Sequence, residues 1–386
     1  MTKKIHLSII SFILKKPILL LNLAWIIVNL GLFHEYGIRV VHDSHRYIAY
    51  ANSIKLGTPL WHLSDSIFYA SYSVILYIFL HVLTLPIYAV IIFQTITSAI
   101  ALICFYKTII NLTANRITAF ICSSLFILWP ELHMWNLYIH TESLYVSITI
   151  IILYLLTTRF WHIRTLPLLM IILIVSVFLR PNGFFLVLGA IISCAVYIIK
   201  KSNLRLTINQ LLFPLAMVLA ILGYGATEAF EVYSPLQYLL QGQVLQGYNA
   251  FTIPIEAPPL IESQSVFRQM LTVFFNQPFN YFKLILMRFL LFWAQIRPYY
   301  SFSHNACIIL FFVPVYVAAI YGFWKTRLNP KYLFLSVVIV LQTVMAIAVA
   351  VDWDNRFIVP ILPFVFIFAS IGFNSYFRFT NATKDI

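Results

Sequence analysis

Long apolar stretches without a single charged side chain constrain this chain more than any other feature of its sequence. Neither 17–33 nor 332–351 contains Asp, Glu, Lys or Arg. Overall, 62% of the residues are hydrophobic and 10% are charged, whereas an ordinary soluble domain is about half apolar and about a quarter charged. An aqueous fold cannot bury that much apolar surface, so the natural solvent of this chain is lipid. The sequence predicts an all-α integral membrane protein.

The apolar stretches predict about ten transmembrane helices, with a range of nine to eleven. A spanning helix needs about 20 mostly apolar residues. The stretches that approach this length are 17–33, 86–106, 115–130, 142–158, 165–179, 182–199, 207–226, 306–324, 332–351 and 357–373. The first one follows a basic flank, but it is long and no small-residue cleavage site follows it. We therefore expect a retained first span rather than a signal peptide.

The distribution of charge predicts the orientation of these spans. With both termini in the cytoplasm, most of the 25 Lys and Arg residues fall in short inner segments, as the positive-inside rule requires. The net charge of +13 then reflects topology, and no nucleic-acid partner is expected. All of the 12 acidic residues except Asp385 fall on the other side. We expect a multi-pass protein of the inner (plasma) membrane, with its polar site on the periplasmic or extracellular face.

A single polytopic domain over 1–386 is predicted, with two long outer segments that bear amphipathic helices. The first, 34–85, contains a predicted helix over 44–56 that stops at Gly57, followed by an amphipathic stretch. The second, 227–305, joins a Pro-rich irregular loop to an apolar helix that we expect to lie in the membrane interface. This second loop is the expected acceptor-recognition region.

The first outer segment opens with an unusual cluster of ionisable residues. Asp43 and Tyr47 share one helix face, and Arg46 lies within reach of Asp43. Two histidines, His42 and His45, flank the carboxylate. Asp43 is a good N-cap residue, and capping alone is one interpretation of it. A cap does not explain the neighbouring histidines and arginine, so a catalytic carboxylate is the other interpretation.

Four sequence pieces resemble the GT-C glycosyltransferases, in the same order along the chain. The first is a D-x-x-x-Y-x-x-x-A pattern at Asp43, Tyr47 and Ala51. The others are Pro130 with the pair Thr141 and Glu142, then Arg180, Pro181 and Gly183, and finally Arg356, Phe357, Pro360 and Pro363. The protein O-mannosyltransferases and the lipid A aminoarabinose transferase are the most similar members. The resemblance covers 10–200 and 330–373.

The resemblance implies an inverting glycosyltransferase that takes a sugar from a polyprenyl-phosphate donor. Asp43 is then the base that removes the proton of an acceptor hydroxyl. The phosphate leaving group needs cationic donors, and the expected ones are Arg46, Arg180, Arg297 and Arg356. Many relatives have Glu after the catalytic Asp, whereas this chain has Ser44. Asp65, Glu131 and Glu142 are unranked candidates for a second acid.

Other outer residues complete the predicted pocket. They are His42, His45, Tyr47, Asp352, Asp354, Tyr299 and His304. Several basic residues of the outer segments have simpler interpretations. Arg297, Lys283 and Arg288 are then interfacial side chains that snorkel to water. Arg356 is then the ion-pair partner of its neighbouring acids. Aromatic residues at 299–304 are also typical membrane-interface anchors. No cofactor is expected, and a divalent metal is not favoured, because two histidines and one Asp are a weak metal signal.

The acceptor is not specified by the sequence: lipid A, an O-antigen unit, another envelope glycan and a protein all fit. An O-antigen polymerase or ligase is the first alternative function, since these enzymes also use lipid-linked glycans. A lipid or glycolipid transporter is the second. The early position of the loop that carries Asp43 favours the monoglycosyl transferase, and the absence of a visible inverted repeat disfavours the transporter.

Overall fold

A computed structural model describes residues 16–58, 66–158, 165–202, 223, 235–256 and 265–377. Helices dominate this part of the chain, and the only β-type pairings within it are isolated bridges. The helices up to the middle of the chain are α1 (Pro17–Tyr36), α2 (Asp43–Lys55), α3 (Ala70–Tyr77), α4 (Tyr88–Thr113), α5 (Arg116–Leu128), α6 (Pro130–Met134), α7 (Glu142–Thr158), α8 (Leu166–Val177) and α9 (Gly183–Ser202). The later ones are α10 (Pro235–Leu240), α11 (Val266–Asn276), α12 (Pro278–Ala294), α13 (Phe302–Thr326), α14 (Leu333–Val349) and α15 (Leu362–Phe377).

Among the described residues, five helical segments are long and apolar enough to cross a membrane. They are Pro17–Tyr36, Tyr88–Thr113, Phe302–Thr326, Pro330–Val349 and Val359–Phe377. The structure therefore confirms an all-helical protein of membrane type, but it does not confirm ten spans. The predicted spans 142–158 and 165–179 are present as the shorter helices α7 and α8, of 17 and 12 residues. The predicted span 207–226 lies almost wholly outside the described residues.

The predicted span 115–130 is bent at its end. Helices α5 and α6 meet at 67°, with Trp129 in an extended conformation between them. Pro130 explains the break, because its ring disfavours helical geometry at the preceding residue and it has no N–H to continue the helix. The bend brings the chain after α6 back into the fold, where α7 begins at Glu142.

The helix predicted over 44–56 is confirmed as α2. It begins at Asp43 and ends at Lys55, and Gly57 follows with φ 78°. Glycine adopts this left-handed conformation without the steric cost that a side chain imposes, so the helix stops there. The amphipathic stretch predicted later in the same outer segment contains α3, and a wider helical turn over Ile78–Val82 follows α3.

The described chain divides into two compact units. Unit 1 comprises Met1–Ser193, Val315–Phe334 and Leu362–Ile386, and unit 2 comprises Cys194–Pro314 and Leu335–Ile361. In unit 1, α4 packs along α7 and α5, and α15 packs on α5. The core of unit 2 includes Leu239, Val244 and Ile253 together with residues of α11 and α12.

Candidate functional site

The first element of the candidate site is the ion pair at the start of α2. An Asp43 carboxylate oxygen lies 3.2 Å from Arg46 Nη2, and the two side chains are 27% and 36% exposed. The residue that precedes the helix is His42, with φ 46°, so Asp43 occupies the first helical position and not the N-cap. Negative charge is still favourable there. The carboxylate is therefore paired and remains open to solvent.

Two tyrosine rings hold the Arg46 guanidinium in place. Its central carbon lies 5.4 Å from the Tyr47 ring centroid and 4.9 Å from that of Tyr69. A cation over an aromatic face is attracted by the negative face of the ring. Arg46 thus sits among a carboxylate and two rings, while more than a third of its side chain stays exposed.

A short backbone pairing brings the start of α7 beside Asp43. The Arg39 N–H donates to the Leu137 carbonyl at 2.9 Å, and the Ile139 N–H donates to the Arg39 carbonyl at 3.1 Å. The His140 Nε2 atom lies 3.1 Å from the Val41 carbonyl, which can only accept, so this nitrogen is the protonated one. The segment before Glu142 is thereby fixed against the segment before Asp43.

A buried ion pair forms the second element. One Glu142 carboxylate oxygen lies 2.5 Å from Arg180 Nη1, and both side chains are almost fully enclosed. His140 Nδ1 lies 3.7 Å from the other oxygen of the carboxylate. The Tyr145 hydroxyl donates to the Asn182 carbonyl at 2.7 Å and holds the turn that carries Arg180. Charges of opposite sign are placed together here, where water cannot screen them.

Tyr47 lies between the two ion pairs. Its burial raises the pKa of the phenol well above the usual value, and the nearby Tyr69, Glu142 and Asp43 raise it further, while Arg180 acts in the opposite direction. The ring also packs edge-on against His140, with 6.2 Å between centroids. Tyr47 therefore stays protonated, and its ring lies against one neighbour of each carboxylate, Arg46 and His140.

A polar network supports this arrangement from inside unit 1. The Tyr72 hydroxyl donates to Gln94 Oε1 at 2.7 Å, and Gln94 Nε2 donates to the Tyr138 carbonyl at 2.9 Å. Asn136 donates to Asn29 Oδ1 at 2.9 Å. These bonds connect α1, α3 and α4 to the segment before Glu142. The geometry of the cluster is thus fixed by four parts of the chain.

In unit 2, two arginines that the sequence allows to snorkel are buried instead. Arg288 is 0% exposed, and its guanidinium donates to the carbonyls of Gln243, Tyr238, Ile347 and Ala348. Arg297 is 1% exposed, and it donates to the carbonyls of Leu291, Ile296 and Asp352. The interfacial interpretation is wrong for both. Arg297 supports the backbone of unit 2 through these bonds, and its predicted phosphate-binding role stays a prediction.

The late acidic segment has two distinct carboxylates. Asp352 is 0% exposed, and one of its oxygens accepts the Phe357 N–H at 3.1 Å. Asp354 lies 3.9 Å from Arg356 Nε, and both of these side chains are partly exposed. Asp354 is thus the ion-pair partner of Arg356, whereas Asp352 shapes the backbone turn before Val359–Ile361.

Aromatic residues cluster before α13 in unit 2. The Tyr299 hydroxyl donates to the Trp353 carbonyl, and burial raises the pKa of Tyr299 to about 12. The Tyr300 and His304 rings are stacked with 4.3 Å between centroids. Tyr299 is 42% exposed, so this cluster presents aromatic surface. Such a surface fits a pocket wall and a membrane-interface anchor equally well.

The remaining predicted site residues fall outside the two ion pairs. His42 and His45 are exposed, and Glu131 is half-buried in the first turn of α6. Asp65 lies outside the described residues. Within the described ranges, no three His, Cys, Asp or Glu side chains come together as a metal site requires.

Sequence reasoning missed several residues that build the site. His140 was not singled out, although it stands two positions before Glu142. Asn182 and Gln94 were missed as well, and Arg288 was treated as an interfacial side chain. Polar residues within or beside apolar stretches are the signal that points to them, because a buried polar group must find a partner.

The fold and the site define a helical protein of membrane type with a cluster of ionisable residues at the helix ends of unit 1. No protein-family model, curated protein or solved structure matches the chain.

Proposed function

We propose that this protein is an inverting glycosyltransferase of the GT-C kind, which moves a sugar from a polyprenyl-phosphate donor to a hydroxyl group of an envelope acceptor. The observation that carries the proposal is an open Asp43–Arg46 ion pair and a buried Glu142–Arg180 ion pair, which Tyr47 links through its contacts with Arg46 and His140. An accessible carboxylate beside an accessible guanidinium supplies a base and an anion binder in one place.

The proposed reaction is a direct displacement at the anomeric carbon. Asp43 takes the proton of the acceptor hydroxyl as its oxygen attacks that carbon. The bond between the anomeric carbon and the donor phosphate breaks on the opposite face, and polyprenyl phosphate leaves with the bonding electrons. Arg46 stabilises the charge that develops on this phosphate. No metal or other cofactor takes part in the proposed step.

Glu142 is the best supported of the three candidates for a second acid. His140 Nδ1 lies 3.7 Å from the Glu142 carboxylate, and His140 packs against Tyr47, whose ring also lies beside the arginine paired with Asp43. In the proposed enzyme, Glu142 is a positioning residue that keeps Arg180 charged and in place. Arg46 is then the principal phosphate binder, because its guanidinium is partly exposed whereas that of Arg180 is buried with Glu142.

The site is proposed to face the periplasm or the cell exterior, with the protein in the inner (plasma) membrane and both termini in the cytoplasm. The donor's polyprenyl chain would then lie among the spans. The acceptor is a glycan, a lipid such as lipid A, or a protein, and the segment 227–305 is proposed to select it.

The experiment that tests the proposal compares sugar transfer by the wild-type protein and Asp43→Asn. Protein in membranes is supplied with radiolabelled polyprenyl-phosphate sugars and an envelope extract. We expect Asp43→Asn to bind the donor but to lose transfer, since the amide keeps the size of the carboxylate and cannot accept a proton. Glu35→Gln is the matched control, because Glu35 is an exposed carboxylate at the end of α1. It should transfer normally, and normal transfer by Asp43→Asn would remove Asp43 from the mechanism.

The two alternatives predict different products in the same assay. A polymerase or ligase transfers whole lipid-linked glycans and leaves single-sugar donors unused. The bend of 67° between α5 and α6 is the observation that favours a transporter, because transporters use broken helices at their binding sites. Movement of a labelled glycolipid across the membrane of a proteoliposome, without any bond change, would support that function over the transferase.

A further inference from the structure

Unit 1 contains a cavity of about 430 Å³ that the proposed reaction does not use. Its wall is formed by the first residue of α1, the last turns of α4, the first residue of α5 and the last turns of α7. Helix α1 ends at Tyr36 and α7 begins at Glu142, so the cavity and the Asp43 cluster lie at opposite ends of the same two helices. A helix of 20 residues is about 30 Å long, which is about the thickness of the apolar part of a membrane.

The cavity is strongly basic. Lys107 and Arg116 line it, both are exposed, and neither forms an ion pair within the described residues. Among the described residues that line the cavity, none is acidic. In the sequence, the segments 1–15 and 159–164 that flank α1 and α7 contain Lys and Arg but neither Asp nor Glu. An anion that enters meets positive charge without competing carboxylates.

Neutral hydrogen-bonding groups converge on the same space. The hydroxyls of Tyr106 and Tyr154 and the amide of Asn111 line the cavity, and none of these side chains has a hydrogen-bond partner among the described residues. Asn111 stands four residues after Lys107 and therefore on the same helix face. Buried polar groups are normally paired with protein groups, a ligand or water. Tyr106 is buried, Tyr154 is half-buried and Asn111 is exposed, so water or a molecule in the cavity supplies the partners that the described residues do not.

The wall around these groups is rigid. The α4–α5 connection is a tight turn in which Ala114 has φ 52° and Asn115 Oδ1 accepts the Thr118 N–H at 2.9 Å. The Tyr332 hydroxyl donates to the Leu112 carbonyl at 3.0 Å, which holds the end of α4. Lys107 and Arg116 are thus carried on two fixed helix ends.

We propose that this cavity binds the phosphate of an anionic phospholipid headgroup. The two cations, Lys107 and Arg116, match the charge of a phosphate, and the donors of Tyr106, Tyr154 and Asn111 match its acceptor oxygens. The location at the ends of membrane-type helices favours a lipid over a soluble phosphate, because basic pockets between such helices receive lipid headgroups. The site goes beyond the proposed transferase function and does not depend on it.

The test is a direct binding measurement on the purified full-length protein in neutral detergent. Short-chain phosphatidylglycerol is the main probe, phosphatidylcholine of the same chain length is the zwitterionic control, and inorganic phosphate is the soluble source of the same group. The variant Lys107→Gln/Arg116→Gln removes both cations. The matched control Lys325→Gln/Arg327→Gln removes two exposed charges of unit 1 that lie over Tyr321 and Trp324.

The wild-type protein should bind phosphatidylglycerol more tightly than phosphatidylcholine. Two headgroup cations contribute about 1 kcal/mol each, so Lys107→Gln/Arg116→Gln should weaken phosphatidylglycerol binding about thirtyfold, while the control variant binds as wild type does. An equal loss of phosphatidylglycerol affinity in both variants would mean that binding depends only on general surface charge, and it would overturn the proposal. Displacement of the lipid by equimolar inorganic phosphate would reassign the cavity to a soluble phosphate and overturn the lipid assignment.

A second variant keeps the test valid if the double variant does not fold. Tyr154→Phe removes one hydroxyl and no charge, so it should fold and still bind phosphatidylglycerol several-fold more weakly than wild type. Unchanged binding by folded Tyr154→Phe and by folded Lys107→Gln would overturn the proposal. Sugar transfer is unaffected in either outcome, because the cavity residues lie at the other end of α1 and α7 from Asp43.

Discussion

Within each unit, most of the buried charged side chains described above make specific contacts inside the fold. Glu142 and Arg180 neutralise each other in a buried pair, and Arg288 and Arg297 bind backbone carbonyls. Burying an isolated charge is very costly, so each of these groups needs a partner. Asp43 differs because its paired carboxylate still faces solvent, and this difference makes it the best candidate for the base.

Glu142→Gln should destabilise unit 1 strongly. The substitution leaves the buried Arg180 guanidinium without its counter-charge, and breaking such a pair costs about 3–5 kcal/mol. We expect a clear drop in the thermal unfolding midpoint measured by tryptophan fluorescence in detergent. Asp43→Asn affects a partly exposed pair and should cost below about 1 kcal/mol.

The double variant Glu142→Gln/Arg180→Met separates stability from positioning. It removes both charges, so most of the lost stability should return while sugar transfer does not. Recovery of transfer together with stability would reduce the Glu142–Arg180 pair to a purely structural role.

Arg288→Met should destabilise unit 2. Four backbone carbonyls lose a buried donor, and each buried group left unpaired costs about 1–3 kcal/mol. Limited proteolysis should then cut unit 2 at protease concentrations that spare the wild type. Lys283→Met is the control, since Lys283 is exposed on the same helix, and it should resist as the wild type does. Equal resistance of Arg288→Met would return Arg288 to the interfacial interpretation.

Helices of similar length and apolarity play different parts in the fold. In α1, the buried side chains are Leu21, Trp25 and Asn29, one stripe with a spacing of four residues, and the other faces are open. In α15, residues are buried on every face from Leu362 to Ser370. A helix that is apolar on all sides suits both environments, lipid and protein core, so composition alone does not distinguish an outer helix from a central one.

The contact between α13 and α15 depends on two glycines. A Cβ atom at Gly372 would lie 2.0 Å from the Ala318 carbonyl oxygen, and one at Gly322 would lie 1.9 Å from that of Phe368. Small residues let helix backbones approach closely in membrane proteins. The close packing of α15 against α13 therefore requires that Gly322 and Gly372 carry no side chain.

Gly372→Ala should push these two helices apart and destabilise unit 1 by about 1–3 kcal/mol, the usual cost of overpacking. Thermal unfolding in detergent measures the effect. Gly31→Ala is the matched control, because Gly31 is a helical glycine in α1 with nothing within 4 Å of an added Cβ. The control should be neutral or slightly stabilising, since alanine favours a helix by about 1 kcal/mol over glycine. Similar midpoints for the two variants would argue against the close contact.

At the scale of the whole molecule, the orientation of the spans in the membrane is directly testable. In the part of the chain that the structure describes, five helices are long and apolar enough to cross, and the bent pair α5–α6 adds a sixth if it forms one span. The predicted orientation places Leu56, after α2, outside and Leu328, after α13, in the cytoplasm. These side chains are 81% and 82% exposed, so they form a matched pair of reporters.

Labelling of single cysteines tests this orientation in intact cells. The four native cysteines are first replaced, because Cys307 is exposed. A membrane-impermeant maleimide should then label Leu56→Cys in intact cells, and Leu328→Cys only after the membrane is permeabilised. The reverse pattern would place the Asp43 cluster in the cytoplasm and remove the outer-face transferase from consideration.

The sequence by itself determined the class of the fold and the position of its apolar helices. Local hydropathy and a few breakers carry this information: Gly57 ends α2, and the long uncharged stretches become α1, α4, α13, α14 and α15. The cluster at the start of α2 was also visible locally, because Asp43 and Arg46 are three residues apart.

Only the tertiary structure decided which polar groups meet. Arg180 reaches Glu142, His140 reaches Val41, and Arg288 reaches the end of α14, all across long stretches of sequence. It also decided that Arg297 faces inward and that the predicted span 115–130 bends at Pro130. The physical reason is that a polar side chain in an apolar protein goes wherever a partner is available. That partner is set by how the helices pack, which the local sequence does not encode.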